Sequence, residues 1–228
     1  MRDLLAILLV LGAAAYLARR AVAGQGGTNG DGPSTDPWPD FGGSYIADET
    51  DQSPSTFESA IVIANPSTYT PANVGAEQAQ RNLRACLDAI AFAEGTAGPD
   101  GYRTMFGYRY FDSFADHPRQ YFPFTNGRGE QLKSSAAGRY QIIVRTWDGL
   151  QRKLGLQDFS PASQDAAAVE LIRERGALND AMGGRFAEFA RKCAPTWASL
   201  PGAGYAQPER SLQSLIAAYR NAGGTLEA

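Results

Sequence analysis

Leu83-Arg-Ala-Cys-Leu87-Asp-Ala-Ile90-Ala-Phe-Ala-Glu94-Gly-Thr96 is the stretch on which the fold turns. Leu83, Leu87, Ile90 and Glu94 recur at i, i+4, i+7 and i+11, so their side chains fall on one stripe of an α-helix. A carboxylate that closes an apolar stripe is partly withdrawn from water. At a helix C-terminus it also meets the negative end of the backbone dipole. Both effects disfavour the charged form and raise the pKa, which is what a general acid needs near neutral pH. The same spacing also suits a glutamate that reaches out to solvent from a frayed helix end, and spacing alone leaves both open.

The helix is expected to open at Thr70-Pro71, a cap followed by a first-turn proline, and to run to about Ala93, with Gly95 ending it. Phe106, Tyr108 and Tyr110 then alternate as in a half-buried strand. More aromatics follow at Phe111, Phe114, Tyr121, Phe122 and Phe124, and a polar loop at 125–135 leads into Ala136-Ala-Gly-Arg-Tyr-Gln-Ile142. Helices are expected near 144–154, from Ser160-Pro161 to just before Gly176, around 183–193, and from about Pro208 to Gly223-Gly224. The last carries Leu212, Leu215, Ile216 and Tyr219 on one face. The pattern is that of an α+β, mainly helical domain with one small β excursion after its first helix.

The chain of 228 residues suits one sizeable domain plus an extension. A net charge of −3 gives no support for the basic face that nucleic acid requires. His117, the one histidine, precedes Pro118 and reads as a turn or packing residue. With His117, Cys86 and Cys193 as the softer ligands, no metal site or other cofactor is expected. Neither cysteine lies in a nucleophile motif. Joined in an oxidising compartment, they would close a loop worth up to about 4–5 kcal/mol, but two buried thiols fit as well.

Before the globular pattern lie two segments of different character. Leu4 to Ala18 are fifteen uncharged, mostly apolar residues between Arg2-Asp3 and Arg19-Arg20. That is shorter than the roughly 20 residues that span a bilayer, and near the length of a secretory core. Residues 1–23 are therefore expected to form a hydrophobic anchor or signal-like helix, associated with a membrane or packed in an assembly. Gly24 to Gly43 hold seven glycines and three prolines, and 24–72 read as a linker and arm ahead of a domain at 73–228.

Within the domain, a series of motifs resembles the phage lambda-type endolysins, peptidoglycan lytic transglycosylases of the lysozyme-like superfamily. They are Phe92-Ala-Glu-Gly-Thr96, Tyr110-Phe-Asp-Ser-Phe-Ala-Asp-His-Pro-Arg119, Leu132-Lys-Ser-Ser-Ala-Ala-Gly-Arg-Tyr-Gln141, Leu154-Gly-Leu-Gln-Asp-Phe-Ser-Pro161, Arg173-Glu-Arg-Gly-Ala-Leu178 and Trp197-Ala-Ser-Leu-Pro-Gly-Ala-Gly-Tyr205. They stand in the family's order across residues 84–226. The resemblance implies a lysozyme-like domain with a small β lobe, and peptidoglycan glycan strands as the partner. It makes Glu94 the sole essential acid. It places Gln141 in the cleft as a hydrogen-bond partner of the sugar, with Tyr140 packing against the sugar or supporting the cleft, Ser135 in the adjoining loop, and Tyr205 in a cleft wall. An amide that both donates and accepts, and aromatics that stack on sugar rings, are suited to such a cleft. Taken by themselves, Gly138-Arg-Tyr-Gln141 fit a strand start or helix cap equally, and Tyr205 fits a core position.

The implied reaction needs one carboxyl. Glu94 protonates the oxygen between N-acetylmuramic acid and N-acetylglucosamine, then removes the proton of the muramic 6-hydroxyl, which closes on C1 to give a 1,6-anhydro end. Asp100, Asp112 and Asp116 are candidates for the second carboxylate that a hydrolase uses. Asp116 suits a turn and Asp112 the β lobe, and the resemblance gives neither a catalytic part. A hydrolytic muramidase on the same fold stays open, as does a structural or cell-wall-binding virion protein with a vestigial domain. The N-terminal segments bear on delivery: a membrane-anchored or exported enzyme in the host periplasm, or a virion component.

Overall fold

A computed structural model describes residues 75–205 and 209–227. The hydrophobic segment at 1–23 and most of the arm, with Thr70 and Pro71, lie outside these residues, as does Pro208. Among the described residues no helix is long and apolar enough to cross a membrane.

Helix α1 (Ala76–Glu94) is the central element. It begins five residues later than the Thr70-Pro71 signal indicates, because Gly75 is extended (φ −61°, ψ 150°) and takes the N-cap position. Its C-terminus is as expected. Gly95 adopts a left-handed conformation (φ 73°), and its N–H returns to the Ala91 and Phe92 carbonyls. Leu83, Leu87 and Ile90 are buried along the stripe, each contributing about 1.5–3 kcal/mol through area removed from water. Around α1 stand α2 (Val144–Leu154), α3 (Pro161–Glu174), α4 (Leu178–Gly183), α5 (Phe186–Cys193) and α6 (Leu212–Asn221). The helix packs chiefly on α6 and α4.

Two caps follow their sequence signals. Ser160 Oγ accepts the Ser163 N–H with Pro161 in the first turn of α3, and Ser211 Oγ accepts the Ser214 N–H to open α6. Helix α6 thus starts at Leu212 rather than near residue 208, and Leu212 itself is 38% exposed, off the buried face of Leu215 and Tyr219. The helix expected around 183–193 is α5, and the short α4 ahead of it, ended by a left-handed Gly184 (φ 78°), has no counterpart in the sequence pattern.

The β lobe departs furthest from the sequence pattern. Phe106, Tyr108 and Tyr110 do not share a strand. Gly107 and Tyr108 are both left-handed (φ 75° and 57°) and reverse the chain between β1 (Thr104–Met105) and β2 (Arg109–Tyr110). Phe106 packs on Phe124, whereas Tyr110 is 58% exposed. The polar loop at 125–135 is largely a second hairpin. Strands β3 (Phe122–Thr125) and β4 (Gln131–Ser134) pair Phe122 with Ser134 and Thr125 with Gln131. Asn126 makes the turn: its Oδ1 accepts the N–H groups of Arg128 and Glu130.

Cys86 and Cys193 are free, buried thiols, and burial raises the pKa of both, that of Cys193 to about 12. His117 is a packing residue. Its Nε2 donates to the Ile142 carbonyl at 2.9 Å, so Nδ1 accepts the Arg119 N–H at 3.1 Å and the ring is neutral. Burial, more than any other influence, lowers its pKa.

Candidate active site

Glu94 is the last residue of α1 and is 6% exposed. The surface-glutamate alternative is therefore set aside. Burial raises its carboxyl to about 7, against two influences that lower it: a hydrogen bond from Ser199 and the charge of Arg210. Ser199 Oγ donates to Glu94 Oε1 at 2.6 Å. Beyond Gly95, the hydroxyl of Thr96 lies 2.5 Å from the Arg139 carbonyl and 3.1 Å from that of Ala91. The end of α1 is thereby fastened directly to the Gly138–Gln141 turn.

That turn is held from every side. Gly138 is left-handed (φ 78°), and so is Gln141 (φ 48°), an uncommon state for a residue with a side chain. The Gln141 amide supports its own turn, with Nε2 donating to the Gly138 and Thr104 carbonyls at 2.8 and 3.0 Å. Gln164, from α3, accepts the Arg139 N–H at 2.9 Å and donates to the Tyr102 and Phe159 carbonyls. Trp197 Nε1 donates to the Tyr140 carbonyl at 3.1 Å.

The structure brings Glu94 and the turn together but does not make each expected residue a sugar contact. Tyr140 is 1% exposed, and its hydroxyl donates to Asp165 Oδ1 at 2.6 Å. It therefore offers no face to a sugar ring and braces the turn from beneath. Ser135 is also buried. Its Oγ accepts the Val144 N–H at 3.2 Å and caps the start of α2 from a distance. Gln141 is 4% exposed, with its amide nitrogen already engaged. Tyr205 is half-buried, and its hydroxyl donates to the Pro195 carbonyl at 3.1 Å. Its loop is held by the Glu209 carboxylate, which accepts the N–H groups of Gly202 and Gly204.

Asp165 is a second buried acid, raised to about 6 by burial against the hydrogen bonds of Tyr140 and Tyr102. Tyr102 stacks under the Arg139 guanidinium, which pairs with Asp88 at 2.6 Å. Replacing Tyr140 with Phe removes one of two donors on a buried carboxylate, with an expected cost of about 1–2 kcal/mol in denaturant unfolding at pH 7. An unchanged midpoint would show that the bond does not brace the turn.

The candidate second carboxylates are all more exposed than Glu94. Asp112 is fully exposed beside Arg103. Asp116 accepts from Arg119, the His117 N–H and Trp147, and these bonds hold its pKa low against a desolvation that raises it. Asp100 is exposed, with its carbonyl accepting the Thr104 hydroxyl. Among the described residues no cluster of His, Cys, Asp or Glu could hold a metal ion.

Three contributors had no role in the sequence reading. Ser199 sits inside the Trp197–Tyr205 motif, where its type alone gives no hint of a partner 105 residues away. Arg210 and Glu209 lie where the sequence pattern predicts the start of the last helix, which instead opens at Leu212.

Residues 84–226 match the family model described as Endolysin. The endolysin of Escherichia phage lambda is 44% identical over 149 residues, covering 63% of this chain and 92% of its own. That of Escherichia phage P2 is 43% identical over 161 residues, covering 63% and 94%. The solved structure of bacteriophage lambda lysozyme with a chitohexasaccharide superposes with a TM-score of 0.59 at 42% identity, covering 64% of this chain and 97% of that one. The match takes in Glu94 and the second half of its helix, the turn at 138–141 and the loop that carries Ser199, and this chain belongs to the endolysin family.

Proposed function

We propose that this endolysin degrades peptidoglycan as a lytic transglycosylase, cutting the β-1,4 bond from N-acetylmuramic acid to N-acetylglucosamine with Glu94 as acid and then base. The observation that carries the reading is the setting of Glu94. Among the described residues the groups acting on it are one hydroxyl and one arginine, with no carboxylate, and burial raises its carboxyl to about 7. A group poised there gives a proton and takes one back at neutral pH with similar ease. Paired carboxylates would be expected to push one another's titrations apart. The chitohexasaccharide in the solved relative supports a glycan substrate.

In the first step Glu94 protonates the bridging oxygen, and the bond from C1 to that oxygen breaks. In the second, the Glu94 carboxylate removes the proton of the muramic 6-hydroxyl, whose oxygen bonds to C1. The nucleophile belongs to the substrate, so it needs no water and gains from proximity. Gln141 serves the cleft through its amide oxygen, while its nitrogen fixes the turn. Tyr205 forms part of one wall, and Tyr140 and Ser135 act from beneath. Residues 73–228 form the enzyme in this reading, and 1–72 concern its delivery.

Mass analysis of the products from purified Gram-negative peptidoglycan tests the proposal. Wild type is expected to release fragments ending in 1,6-anhydro-muramic acid. Reducing ends instead would make the enzyme a hydrolytic muramidase, and binding without products would leave a wall-binding protein.

A further inference from the structure

Arg210 is 2% exposed, an unusual depth for a guanidinium, and three attachments hold it there. Its backbone N–H donates to the Ser199 carbonyl at 2.8 Å. Its Nη2 donates to the Phe92 carbonyl at 3.3 Å, and its guanidinium carbon stands 4.4 Å from the centre of the Phe92 ring. Phe92 belongs to the last turn of α1, two residues before Glu94. Ser199 carries the hydroxyl that bonds Glu94. One arginine therefore ties the residue that donates to the carboxyl to the helix turn that presents it.

We propose that Arg210 is a positioning residue for Glu94, holding Ser199 against the carboxyl and supplying the positive charge beside the carboxylate that receives the second proton. This rests on the acid-then-base reading. A protonated acid in an apolar pocket serves the first transfer, but the pocket must also tolerate the anion left behind. A hydroxyl donor and a fixed cation stabilise that anion, and both act more strongly where water is excluded. The other charges at this end of the molecule are engaged elsewhere. Asp88 pairs with Arg139, Asp165 accepts from Tyr102 and Tyr140, and Glu209 grips the loop at 202–204. Among the described residues, Arg210 is the charged group that acts on Glu94.

The test is the titration of the Glu94 carboxyl, followed by 13C NMR in the full chain and assigned with Glu94→Gln. It needs no substrate. Arg210→Met and Ser199→Ala are each expected to move the midpoint up by about one pH unit. Arg210→Lys, which keeps the charge, is expected to move it by less than half as much. The alkaline limb of the pH–rate profile on peptidoglycan should shift in parallel. Arg210→Gln provides the same comparison if Arg210→Met does not fold. An unchanged midpoint in the neutral variants, or an equal rise in Arg210→Lys, overturns the assignment whatever the products are. Products without anhydro ends overturn the transglycosylase reading and leave this comparison intact.

Discussion

Glu94→Gln is expected to lower the rate of peptidoglycan lysis by about 10³-fold or more while making the folded chain more stable above neutral pH. The two effects share one cause. Burial holds the Glu94 carboxyl at about 7, well above the ordinary value of 4.5 that it recovers on unfolding. Between those values the folded state binds the proton that the unfolded state has released, so stability falls as pH rises. The penalty is absent below about pH 4.5 and complete above about pH 7, where it reaches roughly 3 kcal/mol. Glutamine keeps the shape and an oxygen to accept the Ser199 hydroxyl, but it carries no charge to desolvate. Denaturant midpoints at pH 4 and pH 8 check this: the variant should match wild type at the first and exceed it at the second. Activity within tenfold of wild type, read by clearance of peptidoglycan turbidity, would remove Glu94 from its assigned role.

Asp165 adds to the same pH dependence without any proposed part in the chemistry. Burial raises it to about 6, so the folded chain gives up further stability as pH rises through that value. Both buried acids therefore lower stability as pH rises, but only Glu94 has a proposed part in the chemistry. Asp165 sits where two tyrosine hydroxyls hold a turn in place.

What was legible in the sequence follows from how far each signal reaches. The acid helix could be read because Leu83, Leu87, Ile90 and Glu94 repeat at helical spacing and Gly95 ends the helix within one residue. The Ser160 cap could be read because the serine, Pro161 and Ser163 lie within four residues. The β lobe could not, because its strands are two to four residues long and are set by turns. Neither the left-handed state of Tyr108 nor the grip of Asn126 on Glu130 shows in an alternation of apolar and polar residues. In the site, Glu94 stood out and its two controlling neighbours did not, since Ser199 and Arg210 reach it from across the fold. Tyr140 shows a different limit. The motif singled out the stretch at 138–141, but a side chain's type does not say which way it points, and this one points into the protein toward Asp165.

Gly138→Ala is expected to cost about 3 kcal/mol or more and to reduce lysis out of proportion to the fraction unfolded. Gly138 is left-handed, so any β-carbon there is strained before it meets a neighbour. An added β-carbon would lie 2.1 Å from Gln164 Oε1 and 3.0 Å from the Phe159 ring. The end of a glutamine side chain usually moves aside cheaply, but this one is fully buried. Its oxygen accepts the Arg139 N–H, and its nitrogen donates to two carbonyls. Moving it breaks bonds on both flanks of the turn. The Arg139 carbonyl beside that turn receives the Thr96 hydroxyl, two residues beyond Glu94, so the disturbance reaches the acid. Gln164→Ala, which opens the space while losing the same bonds, separates crowding from lost hydrogen bonding. If Gln164→Ala combined with Gly138→Ala is no worse than Gln164→Ala alone, crowding is the cause. If the double variant loses the sum of both, backbone strain at residue 138 dominates. In either case lysis should fall at a pH and temperature where unfolding measurements show the variant still folded. Wild-type activity in the folded Gly138→Ala variant would mean that the turn and the acid are not coupled.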